Sequence, residues 1–204
     1  MFTMQVAAPN KSSVERAQSK DEGVLSRFAP IIALVVLCWA VFVVNNLMLH
    51  MQLNQYGIIP RRIDSLPGII FAPFLHGSYQ HLAANSLPLL ILGAILCARS
   101  KGEFIVVSAC GILFGGGLTW LFARHAAHIG ASGLVFCYFG YLSSLAYFRR
   151  SIGTLVLSVI CIVAYGGMIR GILPTSAAVS WEGHLAGLVT GIGAAWFMAR
   201  VEAA

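Results

Sequence analysis

From Phe28 to Leu49 the chain reads FAPIIALVVLCWAVFVVNNLML, a run without a single charged residue. A helix crossing a hydrocarbon core about 30 Å thick needs roughly 17 to 25 predominantly apolar residues, so this stretch alone is long enough to span a membrane. Outward from it the pattern repeats: the charge-free stretches are 28–60, 65–98, 104–123, 125–148, 151–169 and 183–199. Each can hold one crossing. The expected helices are 28–49, 79–98, 104–123, 131–148, 152–169 and 183–199, an all-α, polytopic bundle of six transmembrane helices over 28–200. Residues 1–27, polar and holding Lys11, Arg16, Lys20 and Arg27, are expected to be a short cytoplasmic tail.

Composition agrees with that class. Of 204 residues 58% are apolar and only 10% are charged, with a mean hydropathy of +0.83. A soluble domain carries about 25% charge, and a disordered chain needs low hydrophobicity; both are excluded. The net charge of +6 comes from basic residues that sit almost wholly between the apolar runs, so they report topology and not a nucleic-acid partner. Cys38, Cys97, Cys110, Cys137 and Cys161 all fall inside apolar runs, where a thiol behaves as a small hydrophobe; no disulfide and no C-x-x-C metal pair is expected. The first apolar run lacks a small-residue cleavage site and is expected to be retained.

The connection from His50 to Ser78 contains Pro60, Arg61, Arg62 and Asp64, then an apolar stretch broken by Pro67, Gly68 and Pro73. Interrupted in that way it is expected to form a loop or short helices lying in the interface rather than a crossing. Assigning Lys and Arg to alternate sides puts nine with the N-terminus and four opposite, which predicts both termini in the cytoplasm. Helices two, four and six then start on the outer side, at one depth.

That depth holds the residues that an apolar segment should not carry. Helix two opens with His76-Gly-Ser-Tyr-Gln-His81-Leu-Ala-Ala-Asn85, helix four with Gly130-Ala131-Ser132-Gly133, and helix six with Gly183-His184-Leu-Ala-Gly187. Ionisable groups inside a membrane are costly and point to function. Ser132 and His184 are the smallest set that makes a nucleophile and its base. His81 and Asn85, four apart and so on one helical face, supply two donors suited to an oxyanion. Ser132 also stands at a helix start, where unpaired backbone N–H groups point outward. Gly183, Gly187 and Gly191, continued by Ala195, form a small-residue stripe. On helix four Gly133, Cys137, Gly140 and Ser144 form another, and packing the two would bring Ser132 to His184. No carboxylate is placed to orient His184, so a dyad is expected.

These motifs resemble those of the rhomboid intramembrane serine proteases: HxxxN at His81 and Asn85, GxSG at Gly130–Gly133, and His184 followed by Gly187 and Gly191. The resemblance covers about residues 28–200, in the same six-helix order, and includes His76 and the long first loop. It implies Ser132 as nucleophile, His184 as general base, and His81, Asn85 and the Ser132 backbone N–H as the oxyanion hole. It further implies hydrolysis of peptide bonds in transmembrane-helix protein substrates, with no cofactor; the six spans, the short tail with Glu15, Asp21 and Glu22 and the charge bias predict a prokaryotic plasma membrane with the site opening outward. Two departures stand out. Phe136 occupies the place where many members carry a tyrosine stacked on the catalytic histidine, and the first loop lacks the usual tryptophan beside Arg61 and Arg62. His76 is expected to hold the first loop by hydrogen bonds. His125 and His128, three apart, lack the carboxylate of a metal motif, and no metal is expected there. Gly115-Gly116-Gly117 implies close packing or a kink. The alternative weighed is a catalytically silent relative that binds and escorts membrane helices; a transporter or a haem or metal protein built on the histidines is a third.

Overall fold

The computed structural model describes residues 11–202. Its elements are helical, apart from one isolated antiparallel bridge between Ile58 and His128. Helix α1 runs Lys11–Leu47. The first loop holds 3-10 turns at Gln52–Tyr56, Ile63–Ser65 and Ala72–Phe74, with the short α2, Gly68–Phe71, among them. Then come α3 (Tyr79–Arg99), α4 (Lys101–Cys110), α5 (Gly116–Phe122), α6 (Ser132–Arg149), α7 (Ile152–Tyr165) and α8 (Trp181–Glu202).

Among the described residues five segments are long and apolar enough to cross a membrane: Ser26–Leu47, Tyr79–Arg99, Lys101–Phe122, Ile152–Ile172 and Trp181–Glu202. α6 is not among them, although six crossings are expected from the charge-free runs. The reason is its place in the bundle. α6 packs along α8 and α7 and also against α3 and α4, and every residue from Leu134 to Leu142 is buried. A helix sheathed in protein need not match lipid, so it can carry Ser143, Ser144, Tyr138 and Tyr141. The two serines return their hydroxyls to the carbonyls of Phe139 and Gly140, which satisfies them inside the helix.

Two elements differ from the sequence expectation. The helix that should begin near Phe28 already runs from Lys11, across the segment expected to be a polar tail; residues 11–25 include helix formers such as Lys, Glu, Arg and Gln, and neither Gly23 nor Pro30 ends the helix. The third span, expected to be one regular helix, contains a π-helical turn at Gly111–Gly115 between α4 and α5. Such insertions are places where a helix bends. Here glycine also permits contact: a Cβ on Gly111 would lie 2.8 Å from Leu134 Cδ2.

Close approach is strongest between α6 and α8. A Cβ on Gly187 would fall 2.1 Å from the Gly133 carbonyl oxygen, one on Gly191 2.0 Å from that of Cys137, and one on Gly140 2.4 Å from that of Leu188. The two small-residue faces therefore interlock backbone to backbone, the geometry that small residues permit where no hydrophobic drive joins helices. At the far end of these helices a buried carboxylate, Glu103, is met by Arg99 Nε at 3.1 Å, Arg149 Nη1 at 3.0 Å and the Tyr141 hydroxyl. Arg149 also reaches Glu202 at 2.6 Å. This network ties α4, α6 and α8 together.

Candidate active site

The α6–α8 packing sets the site. Ser132 is the first residue of α6 and His184 lies in the first turn of α8, so pairing the helix starts pairs the side chains: His184 Nε2 is 2.8 Å from Ser132 Oγ. The other ring nitrogen, Nδ1, lies 2.8 Å from the Gly171 carbonyl oxygen. A carbonyl only accepts, so Nδ1 must carry the proton and donate. In the neutral ring Nε2 is then the acceptor, and the serine hydroxyl donates to it. Phe136, one turn along α6, stacks on the imidazole with ring centroids 4.4 Å apart and planes 11° apart. Gly171 allows its carbonyl to come this near, since a Cβ there would be 3.0 Å from Phe136 Cζ and 3.1 Å from His184 Nδ1.

The turn before Ser132 is built on Gly130, whose φ of +115° belongs to glycine. Space demands glycine as well: a Cβ would sit 2.6 Å from His81 Nε2 and 3.4 Å from Asn85 Nδ2. Both side chains of the HxxxN face therefore abut the turn that delivers Ser132. The Gly77 N–H approaches His81 Nδ1 at 3.5 Å, which makes Nδ1 the acceptor and leaves Nε2 protonated toward the turn. Asn85 Nδ2 is buried and has no hydrogen-bond partner among the described residues. A buried donor without an acceptor is costly, and a carbonyl oxygen entering here would receive it. Ala131, the residue preceding α6, offers no side-chain cap, so the first-turn N–H groups of α6 also face the site uncapped.

His76 holds the first loop against this turn. Its Nε2 accepts from the Ala131 N–H at 3.4 Å, and its carbonyl accepts from Asn54 Nδ2 at 3.4 Å. Burial, with His81 beside it, pushes the His76 pKa down to about 4, so the ring is neutral at physiological pH. The missing loop tryptophan has a substitute from another element: Trp120 of α5 donates Nε1–H to the Arg62 carbonyl at 2.9 Å, and its own carbonyl accepts from the Arg61 N–H at 3.0 Å. Arg62 itself pairs with Asp64.

A cavity of about 560 Å³ adjoins the pair, with Ser132, His184, His81, Asn85, Phe136 and Met168 in its wall and Ala177–Ser180 along its edge. Sequence reasoning gave no role to the residues that fix this edge. Arg124 donates to the carbonyls of Ala177 and Val179 at 2.9 and 2.7 Å and meets Glu182 Oε2 at 3.0 Å. His128 bonds Ser180 Oγ at 2.6 Å through Nδ1 and the Arg124 carbonyl at 3.0 Å through Nε2. Burial lowers the His128 pKa. With both nitrogens engaged, His128 is part of this edge. His125 is not drawn into it, and among the described residues no three His, Cys, Asp or Glu come together as a metal site. Glu182, two residues from His184, is turned to Arg124 and does not orient the imidazole.

Comparison with known proteins gives a match to the model of the Rhomboid domain over residues 64–201. An uncharacterized protein of Mycobacterium leprae is 36% identical over 181 residues, covering 84% of this chain and 71% of that protein. An uncharacterized protein of Mycobacterium tuberculosis is 35% identical over 181 residues, covering 84% of this chain and 75% of its own length.

Proposed function

Because the chain belongs to the rhomboid family, we propose that it is an intramembrane serine endopeptidase working through a Ser132–His184 dyad. The observation that carries this reading is the 2.8 Å contact between Ser132 Oγ and an imidazole whose tautomer the Gly171 carbonyl fixes. In the proposed reaction Ser132 Oγ attacks the scissile carbonyl carbon while its proton passes to His184 Nε2. The imidazolium keeps its Nδ1–H on the Gly171 carbonyl, whose dipole stabilises the new charge, and the ring is braced by Phe136. The carbonyl oxygen, now an oxyanion, takes hydrogen bonds from Asn85 Nδ2, His81 Nε2 and the Ser132 N–H. His184 then returns the proton to the leaving amine, and a water activated by His184 hydrolyses the acyl-serine ester.

The substrates of this reading are single-span membrane proteins whose helix unwinds readily near its outer end, with a small residue before the cut. Six crossings follow from it, with α6 as the protein-sheathed span, both termini cytoplasmic and the dyad opening to the outer side of a prokaryotic plasma membrane. Gly130, Gly133, Gly187 and Gly191 support the site by permitting the turn and the α6–α8 approach, and His76 by bracing the Ala131 N–H. The test is cleavage of a single-span substrate by the purified full chain in detergent, wild type against Ser132→Ala, with labelling by a fluorophosphonate in parallel. Cleavage and labelling lost together in the variant support the dyad. A wild type that neither cleaves several such substrates nor takes the label would overturn it in favour of a helix-binding protein without activity.

A further inference from the structure

At the end of the bundle away from Ser132, three elements meet around a hollow of about 310 Å³. Gly23, Ser26 and Arg27 of α1 form one wall, Cys97 and Arg99 of α3 the second, and Ser100 with Lys101 at the start of α4 the third. Among the described residues its charged side chains are Arg27, Arg99 and Lys101, all cations. The Glu103 carboxylate is not in the wall; it is taken up by Arg99 Nε, Arg149 Nη1 and the Tyr141 hydroxyl. Arg99 gives Glu103 only its Nε, and among the described residues its two terminal nitrogens have no partner. That pairing also holds the Arg99 side chain at the rim, where it is 25% exposed.

The hollow opens where the polar part of α1 passes into the apolar Ser26–Leu47 segment and where the Tyr79–Arg99 and Lys101–Phe122 segments end and begin. It therefore stands at the level of lipid headgroups, between helices whose outward faces are apolar. Basic pockets between transmembrane helices at such a boundary bind anionic lipid headgroups, and each nearby cation adds about 1 kcal/mol of attraction. A surface cation placed only to set topology has no need of a cavity shared with two others. We propose that this hollow is a binding site for the phosphate headgroup of an anionic phospholipid, with Arg27, Arg99 and Lys101 as its cations and the acyl chains lying against α1 and α3.

This site is separate from the proposed dyad, and its test does not read cleavage. The full chain in a neutral detergent is titrated with dioleoylphosphatidylglycerol, with dioleoylphosphatidylcholine and with inorganic phosphate, and bound lipid is counted by native mass spectrometry. The compared proteins are wild type, Arg27→Gln/Lys101→Gln and Arg170→Gln, a cation near the end of the Ile152–Ile172 segment. Arg99 is left in place because it holds Glu103. The expected result is tighter binding of phosphatidylglycerol than of phosphatidylcholine, by roughly 100-fold for three cations, a preference that falls on the order of 10- to 30-fold in the double variant and is unchanged in Arg170→Gln. Equal binding of the two lipids, or an undiminished preference in a double variant that unfolds at the wild-type temperature, would overturn it. Occupancy by inorganic phosphate with no preference for the anionic lipid would overturn it as well, in favour of a free-phosphate site.

Discussion

Asn85 shows how one side chain can be poised for a reaction. Among the described residues its Nδ2 has no partner, and it lies in the wall of the cavity beside Ser132, where the proposed reaction would give it an oxyanion to donate to. Asn85→Ala is therefore expected to lower kcat by about 10² to 10³-fold with little change in KM, while the protein unfolds at or slightly above the wild-type temperature. A KM effect alone, measured by steady-state cleavage, would contradict this. Gly130 makes a different prediction, because both its φ of +115° and the 2.6 Å approach of His81 Nε2 bar a methyl group. Gly130→Ala is expected to lose fluorophosphonate labelling of Ser132 almost entirely even where the helices remain folded by circular dichroism. Ser132, His184, His81 and Asn85 were legible because polar residue types are conspicuous in apolar runs. The Gly171 carbonyl was not, since every residue carries one, and neither was the Trp120 brace of the first loop, whose indole comes from a distant helix.

Elements are held by approach distances that only glycine allows, and α8 contains its own control. A Cβ on Gly191 would stand 2.0 Å from the Cys137 carbonyl, whereas one on Gly193 meets nothing within 4 Å. Gly191→Val is expected to cost about 2 to 3 kcal/mol or more and to separate His184 from Ser132. Gly193→Ala should be neutral or stabilising by up to about 1 kcal/mol. Thermal unfolding in detergent distinguishes them, and equal effects would mean that the α6–α8 approach is not what holds the helix. The stripe itself could be read from its four-residue spacing. The start of α1 could not, because charge balance marks where lipid begins and a helix can run on beyond it. Nor could the clamp at the cavity edge: Arg124 and Glu182 are 58 residues apart, and a long-range ion pair has no periodic signature. Arg124→Ala should leave Ala177–Ser180 untethered and hasten its cleavage by proteinase K several-fold; an unchanged rate would assign the tether to His128 and Ser180 alone.

For the molecule as a whole, α6 joins two polar ends, and the two ends differ in the groups that they bury. At one end Glu103 is surrounded by Arg99, Arg149 and Tyr141. At the other, His76 and His128 are buried outside the spans and kept neutral. The His76 pKa, near 4 when folded, rises to an ordinary value near 6.5 when the chain unfolds. Between those limits the unfolded state binds the extra proton, so the slope of unfolding free energy with pH is positive. The contribution of His76 is fully present above about pH 6.5 and is lost as pH falls toward 4; it amounts to at most about 3 kcal/mol. His128, also shifted down by burial, acts in the same direction, and so does Asp64, held below the usual carboxylate range by Arg62, though only at still lower pH. The unfolding temperature should therefore fall steadily from pH 7 to pH 4.5, and His76→Gln, which has no proton to take up, should flatten that fall while lowering the value at pH 7. A variant with the wild-type slope would place the acid sensitivity elsewhere, at His128 first, because it alone among the other histidines outside the spans has both ring nitrogens tied into the fold.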